Sequence, residues 1–216
     1  MRFYYKVLLV GGSGRGKTYS FRNMNKETTC FINVENKPLP FKGGFKHTVV
    51  PDNHVKVLDA IKKASADDSI DCIVVDSFSA YMDMLLKESR STKRGFDIWN
   101  YYNEEIGRFN EYVKKAKKEV FVTAHYEIIG DELSGQRERR VKSKGKEWEG
   151  MIEKDYTIVL FAESIPQEEG RPEHIFSLVN DGTSSAKCPP EMFGEDVLSV
   201  PNDTAHVLEK IKEFVA

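Results

Sequence analysis

Apolar residues along this chain fall into two patterns. Some form short unbroken runs, as in strands buried on both faces, and others recur every three or four positions, as on one side of a helix. Runs at 4–10, 28–34, 70–76 and 119–124 are rich in Val, Ile and Phe and predict core strands. Between them, Val57, Leu58 and Ile61 mark a helix over 54–64 with Asp52 or Asn53 as its cap, and Tyr81, Met82, Leu85 and Leu86 mark another over 79–87. A long helix is predicted over 96–118 from Ile98, Trp99, Tyr102, Ile106, Phe109, Val113 and Ala116. Residues 18–24 open a helix, 48–50 a short strand, and Asn202 caps a last helix carrying Val207, Leu208, Ile211 and Phe214 on one face. Runs at 155–162 and 174–180, joined by the charged turn 168–172, read as an antiparallel pair. Two stretches break the pattern: 88–95 is polar and basic and reads as an exposed loop, and 130–150 has no sustained periodicity. The expectation is an α/β fold in a single domain over 1–216, a mostly parallel central sheet flanked by helices with an antiparallel C-terminal extension.

The connection after the first run carries chemistry. Gly11-Gly12-Ser13-Gly14-Arg15-Gly16-Lys17-Thr18 fits G-x-x-x-x-G-K-[ST] at every fixed position, between a strand and a helix. Glycines accept positive φ, so successive N–H groups turn inward around a phosphate at a helix N-terminus. Lys17 then reaches the β- and γ-phosphates of a nucleotide such as ATP and Thr18 ligates Mg2+. The 70–76 run ends at Asp76, where a carboxylate facing the loop holds the magnesium through a water. Glu35 follows the 28–34 run and is placed to polarise an attacking water, although its position equally suits a solvated turn. His125 follows the 119–124 run, either as a sensor of the γ-phosphate or as a satisfied structural group.

Composition narrows the partners without naming them. With 32 Lys and Arg against 34 Asp and Glu, the net charge of -2 excludes a globally basic surface, so any polyanion contact must be local. Arg137, Arg139, Arg140, Lys142, Lys144 and Lys146 cluster around a single acid, Glu138, and are followed by Trp148. Such a stretch suits a phosphodiester backbone, with Trp148 stacking on bases, or it is simply a solvated loop. Cys30, Cys72 and Cys188 stand singly, without metal-ligand spacing, which predicts a reducing, cytoplasmic setting. No apolar stretch reaches the ~20 residues that span a bilayer, so no membrane partner is expected.

Four pieces in order carry a resemblance: the phosphate loop, Cys30-Phe31-Ile32-Asn33-Val34-Glu35, Ile73-Val74-Val75-Asp76-Ser77 and Val122-Thr123-Ala124-His125. Together they resemble the RecA-like ATPase core. The strings Asn33 through Pro40, Thr123-Ala124-His125-Tyr126, and Gly182-Thr183 before Ala186-Lys187 are similar to small phage-encoded RecA-like ATPases, among them single-strand annealing proteins of the Sak group. The resemblance implies a phage protein in the host cytoplasm that binds single-stranded DNA during recombination or replication. Its ATP hydrolysis would be slow and stimulated by DNA or oligomerisation. Glu35, Lys17 and His125 then form the catalytic set, and Arg90, Lys93 and Arg94 join the basic cluster in holding DNA. It further implies a homo-oligomer, with a single-stranded DNA-binding protein as a further partner, and a neighbour's basic residue completing the nucleotide site. RecA carries paired lysines where this chain has Asp181-Gly182-Thr183, and Lys187 is the nearest substitute. Two other readings satisfy the phosphate loop: a small-molecule kinase, for which no acceptor site is evident, and a nucleotide-gated loader that does not touch DNA.

Overall fold

The computed structural model describes residues 3–130 and 137–216. In chain order the elements are β1 (Lys6–Val10), β2 (Thr29–Asn33), β3 (His47–Val49), α1 (His54–Ala66), β4 (Cys72–Asp76), α2 (Phe78–Thr92), α3 (Asp97–Lys115), β5 (Glu119–Ala124), β6 (Tyr126–Gly130) and β7 (Arg137–Val141). They continue with β8 (Ile158–Ile165), β9 (Glu173–Ser177), α4 (Pro190–Phe193), β10 (Ser199–Pro201) and α5 (Thr204–Phe214). Eight strands form one sheet in the order β10-β9-β8-β1-β5-β4-β2-β3, and β6 and β7 form a separate hairpin. From β8 to β3 all neighbours are parallel, whereas β9 pairs antiparallel with β8, as the sequence pattern predicts, and β10, which that pattern does not mark, pairs antiparallel with β9.

The unbroken apolar runs are explained by cover on both faces. Leu8, Val10, Ile73, Val75, Val120 and Val122 face α1, α2 and α3, where Ile61, Leu85, Tyr102 and Phe109 meet them. The alternate residues Val7, Leu9, Phe31, Val74 and Phe121, with Phe176 of β9, face the other side, closed by Phe21, Val207 and Ile211. Helix starts are set locally: Asn53 accepts from the Lys56 amide and Ser77 from the Ala80 amide, each cap contributing about 1 kcal/mol. Phe121 is fully buried at the centre of β5. Phe121→Ala is therefore expected to cost about 3–5 kcal/mol in urea denaturation, and a loss under about 1 kcal/mol would show that the sheet collapses around the gap.

Several expectations are corrected by interactions between distant segments. Most of the stretch 88–95 is helix, because α2 continues through Thr92 and only residues 93–95 form a connection to α3. Its polar residues are the solvent side of the last turns, while buried Ser89 donates to the Leu85 carbonyl at 2.8 Å and Glu88 meets His54 at 2.8 Å. The irregular stretch 130–150 lies partly outside the described residues, but Arg137–Val141 is a strand paired with Tyr126–Gly130. Its charged sequence shows no apolar alternation. Instead the Arg139 amide donates to the Thr183 carbonyl at 2.8 Å and the Val141 amide to Glu153 Oε1 at 2.8 Å, bonds that no local pattern announces. The turn after the phosphate loop, Thr18–Asn23, is a 3-10 rather than an α-helix. Asp203, not Asn202, caps α5 by accepting from the Ala205 amide at 3.0 Å. Among the described residues no helix is long and apolar enough to cross a membrane.

Candidate nucleotide site

Parallel register brings four strand ends together. Val10 pairs with Ala124 and Asn33 with Asp76, so the loops after β1, β2, β4 and β5 all leave from one edge of the sheet. The Gly11 amide donates to the Ala124 carbonyl at 3.1 Å, and the Val34 and Glu35 amides donate to the Asp76 carbonyl at 2.7 and 3.3 Å. These main-chain bonds place Glu35 beside Asp76 and His125 beside the phosphate loop. The result is a cleft of about 630 Å³ lined by Ser13 through Tyr19, with Glu35, Asp76 and His125 on its walls. Gly11 and Gly12 lie at its base, where their carbonyls accept from Lys17 Nζ at 2.8 and 2.9 Å. Gly16 has φ 86°, and a Cβ there would lie 3.1 Å from Asn202 Oδ1 and 3.3 Å from His174 Cγ. The motif glycine is thus required by both conformation and space.

The electrostatics are those of charges held out of water. Burial pushes the Lys17 ammonium down to about 8, against the pull of Asp76 and Glu35. Burial likewise raises the Asp76 carboxyl, although hydroxyl hydrogen bonds from Thr123 and Thr18 oppose it, Thr18 Oγ1 donating to Asp76 Oδ2 at 2.9 Å. A cation beside Asp76 would offset that penalty, and a hydroxyl adjoining a carboxylate is the hard-oxygen set that magnesium prefers. The residues present therefore fit a magnesium nucleotide. At Glu35, burial works against the charged form, but hydrogen bonds from Lys37 and Ser77 outweigh it and hold the carboxyl below its ordinary range. Lys37 Nζ lies 2.6 Å from Oε2 and Ser77 Oγ donates to Oε1 at 3.0 Å, so Glu35 is not a free turn residue. His125 is lowered by burial and by Lys17, which favours a neutral imidazole, and its amide is anchored to Ser79 Oγ at 2.9 Å.

Sequence reasoning missed Thr123, Ser77, Ser79, Lys37, Tyr19, Arg171 and His174, which line the cleft or hold the residues that do. Thr123 carried a signal, being a hydroxyl at the end of an otherwise apolar strand. Arg171 and His174 carried none, because only the β8–β9 pairing folds their turn over the phosphate loop.

The basic residues separate into different environments. Arg139 pairs with Glu163 at 3.0 Å, Arg140 with Glu138 at 2.8 Å and Lys144 with Asp83, so part of the cluster is neutralised within the chain. Arg137, Lys142 and Lys146 are exposed, and Lys146 shares a second cavity of about 520 Å³ with Arg140. Arg90 is exposed near the end of α2, Lys93 lies over the Tyr101 ring at 4.9 Å, and Arg94 donates back to the Arg90 and Lys93 carbonyls. Trp148, expected as a stacking platform, is half-buried and packs instead against Gly107 of α3. Lys187 lies outside the phosphate-loop cleft, in a groove with Leu178, Pro189 and Phe193, its main chain bonded to Val159.

A phosphate loop between β1 and a helical turn, facing acidic strand ends in a mostly parallel sheet, defines a RecA-like P-loop NTPase. The chain belongs to the AAA domain family, whose model matches residues 4–189, and so to the nucleotide-binding ATPases. Solved structures share the fold, among them the KaiC-like protein of the hyperthermophilic archaeon Pyrococcus horikoshii OT3. It aligns at 14% identity over 82% of this chain and 79% of that one, with a TM-score of 0.51. No curated protein matches the sequence.

Proposed function

We propose that this protein is a magnesium-dependent ATPase whose nucleotide state governs binding of single-stranded DNA, as a phage-encoded protein of the single-strand annealing kind. The convergence of Lys17, Thr18, Asp76, Glu35 and His125 on one cleft carries the reading. Thr18 and Asp76 would hold the magnesium, which when bound neutralises charge on the β- and γ-phosphates. Lys17 holds the same phosphates from the loop. Glu35 orients the attacking water once Lys37 gives way, and Ser77 keeps its carboxylate aimed. The link to DNA rests on one connection: β6 starts directly after His125, and the Lys142 amide donates to the His125 carbonyl at 2.8 Å. A shift at His125 on loss of the γ-phosphate would thereby reach the hairpin strand that carries Arg137 and the segment after it that carries Lys142 and Lys146. Arg90, Lys93 and Arg94 extend the same reading at the end of α2. The oligomer is proposed on the exposure of Lys187 outside its own cleft, where it is available to a neighbouring subunit. Paired cations such as Arg139 and Lys144 instead tie this segment to Glu163 of β8 and Asp83 of α2.

Titration of labelled oligo-dT, with and without ATP at two salt concentrations, tests the proposal. Salt-steep binding that changes with nucleotide is expected, and absence of binding under every condition would overturn the DNA reading while leaving the ATPase intact. Lys142→Glu with Lys146→Glu should lower the slope of log affinity against log salt by about 0.7 for each phosphate that is no longer neutralised. An unchanged slope would mean that these two side chains only face solvent.

A further inference from the structure

The cleft has a direction. Asp76 ends β4 and Glu35 follows β2 on one side of the phosphate loop, while Arg171 and Pro172 of the β8–β9 turn and His174 at the start of β9 lie on the other. A nucleotide whose γ-phosphate meets Lys17 and Glu35 must leave its nucleoside toward the β8–β9 side. Tyr19 stands there, directly after Thr18, lining the cleft with 41% of its surface exposed. Its ring is held in place: the Arg22 guanidinium lies over it, 4.6 Å from the centroid, and Arg22 donates to the Asn202 carbonyl at 2.7 Å. The Asn202 amide in turn donates to the His174 carbonyl at 3.1 Å, so Tyr19, Arg22, Asn202 and His174 form one connected wall. An exposed aromatic ring backed by a fixed cation, at the nucleoside end of a triphosphate cleft, has the chemistry of a stacking surface.

We propose that Tyr19 is the platform on which the purine base of the bound nucleotide stacks. The proposal rests on the nucleotide reading of the phosphate loop and adds to it a subsite for the base. A purine presents a larger π-face than a pyrimidine, so ATP is held more tightly than CTP.

Calorimetric titration with Mg-ATP and with magnesium tripolyphosphate, which has the phosphates but no base, separates the two levels. Tyr19→Ala is expected to weaken ATP about tenfold, the scale of one base–aromatic stack, while tripolyphosphate affinity stays within about twofold of the unaltered protein. Tyr19→Phe, which keeps the ring, should retain ATP affinity. Equal weakening of both ligands, or of neither, would overturn the base subsite. So would an unaltered protein that binds ATP no more tightly than tripolyphosphate. If the unaltered protein binds neither ligand, the nucleotide reading itself falls, and the subsite with it.

Discussion

Lys17→Ala is expected to remove measurable nucleotide binding. Its ammonium now bridges the carbonyls of Gly11 and Gly12 at 2.8 and 2.9 Å, folded back onto the loop that would receive the phosphates. Those carbonyls hold the charge at the mouth of the loop. Removing two charge-assisted hydrogen bonds to phosphate at about 1.5–3 kcal/mol each weakens binding by about 10²- to 10⁴-fold. The fold should not suffer, because burial already disfavours this ammonium, lowering it to about 8, and alanine removes that cost. A calorimetric titration beside a thermal melt distinguishes the outcomes: normal ATP affinity in the variant would remove Lys17 from the site. The same lowered ammonium predicts a pH dependence. Phosphate binding favours the charged form, which dominates below about 8, so affinity for ATP should fall as pH rises through that value.

Glu35→Gln should have the opposite signature, with binding kept and turnover abolished. The carboxylate lies beside Asp76 because its amide bonds the Asp76 carbonyl at 3.3 Å, and Ser77 and Lys37 hold its two oxygens. Glutamine keeps the shape and can still accept from Ser77, but it cannot carry the charge that polarises water. Positioned acid–base groups contribute typically about 10²–10⁴-fold, so single-turnover hydrolysis should slow by that order while the ATP dissociation constant changes little. Wild-type hydrolysis by the variant would assign the base to another residue. Because Lys37 and Ser77 keep Glu35 ionised below its ordinary range, no loss of activity from its protonation is expected near neutral pH.

Much of the fold and of the cleft is legible from residues alone, for a physical reason. Buried parallel strands must be apolar throughout, so β1, β2, β4 and β5 announce themselves, and the phosphate loop needs its glycines and Lys17-Thr18 in a fixed order. Asp76, Glu35 and His125 follow because ligand-facing residues of such sheets sit at strand ends. The sheet order is not legible, since it depends on which strands find one another across long separations. Nor is the hairpin of β6 and β7, whose strand Arg137–Val141 is charged along its length and is held by Thr183 and Glu153 from distant segments. Trp148 reads as a free ring in the sequence, whereas α3 covers it in the fold. Glu35 reads equally as a turn residue, and it is the strand register that places Ser77 on one of its oxygens, the other being held by nearby Lys37.

The sequence by itself determined the phosphate loop, the strands that deliver acids to it and the alternation of strand and helix, because each is written in local pattern and spacing. Only the tertiary structure decided that Tyr19, Arg171 and His174 share the cleft, that Thr123 steadies Asp76 and that Arg139 and Lys144 are already paired. Those facts depend on groups far apart in the chain meeting in space, and local periodicity carries no record of such meetings.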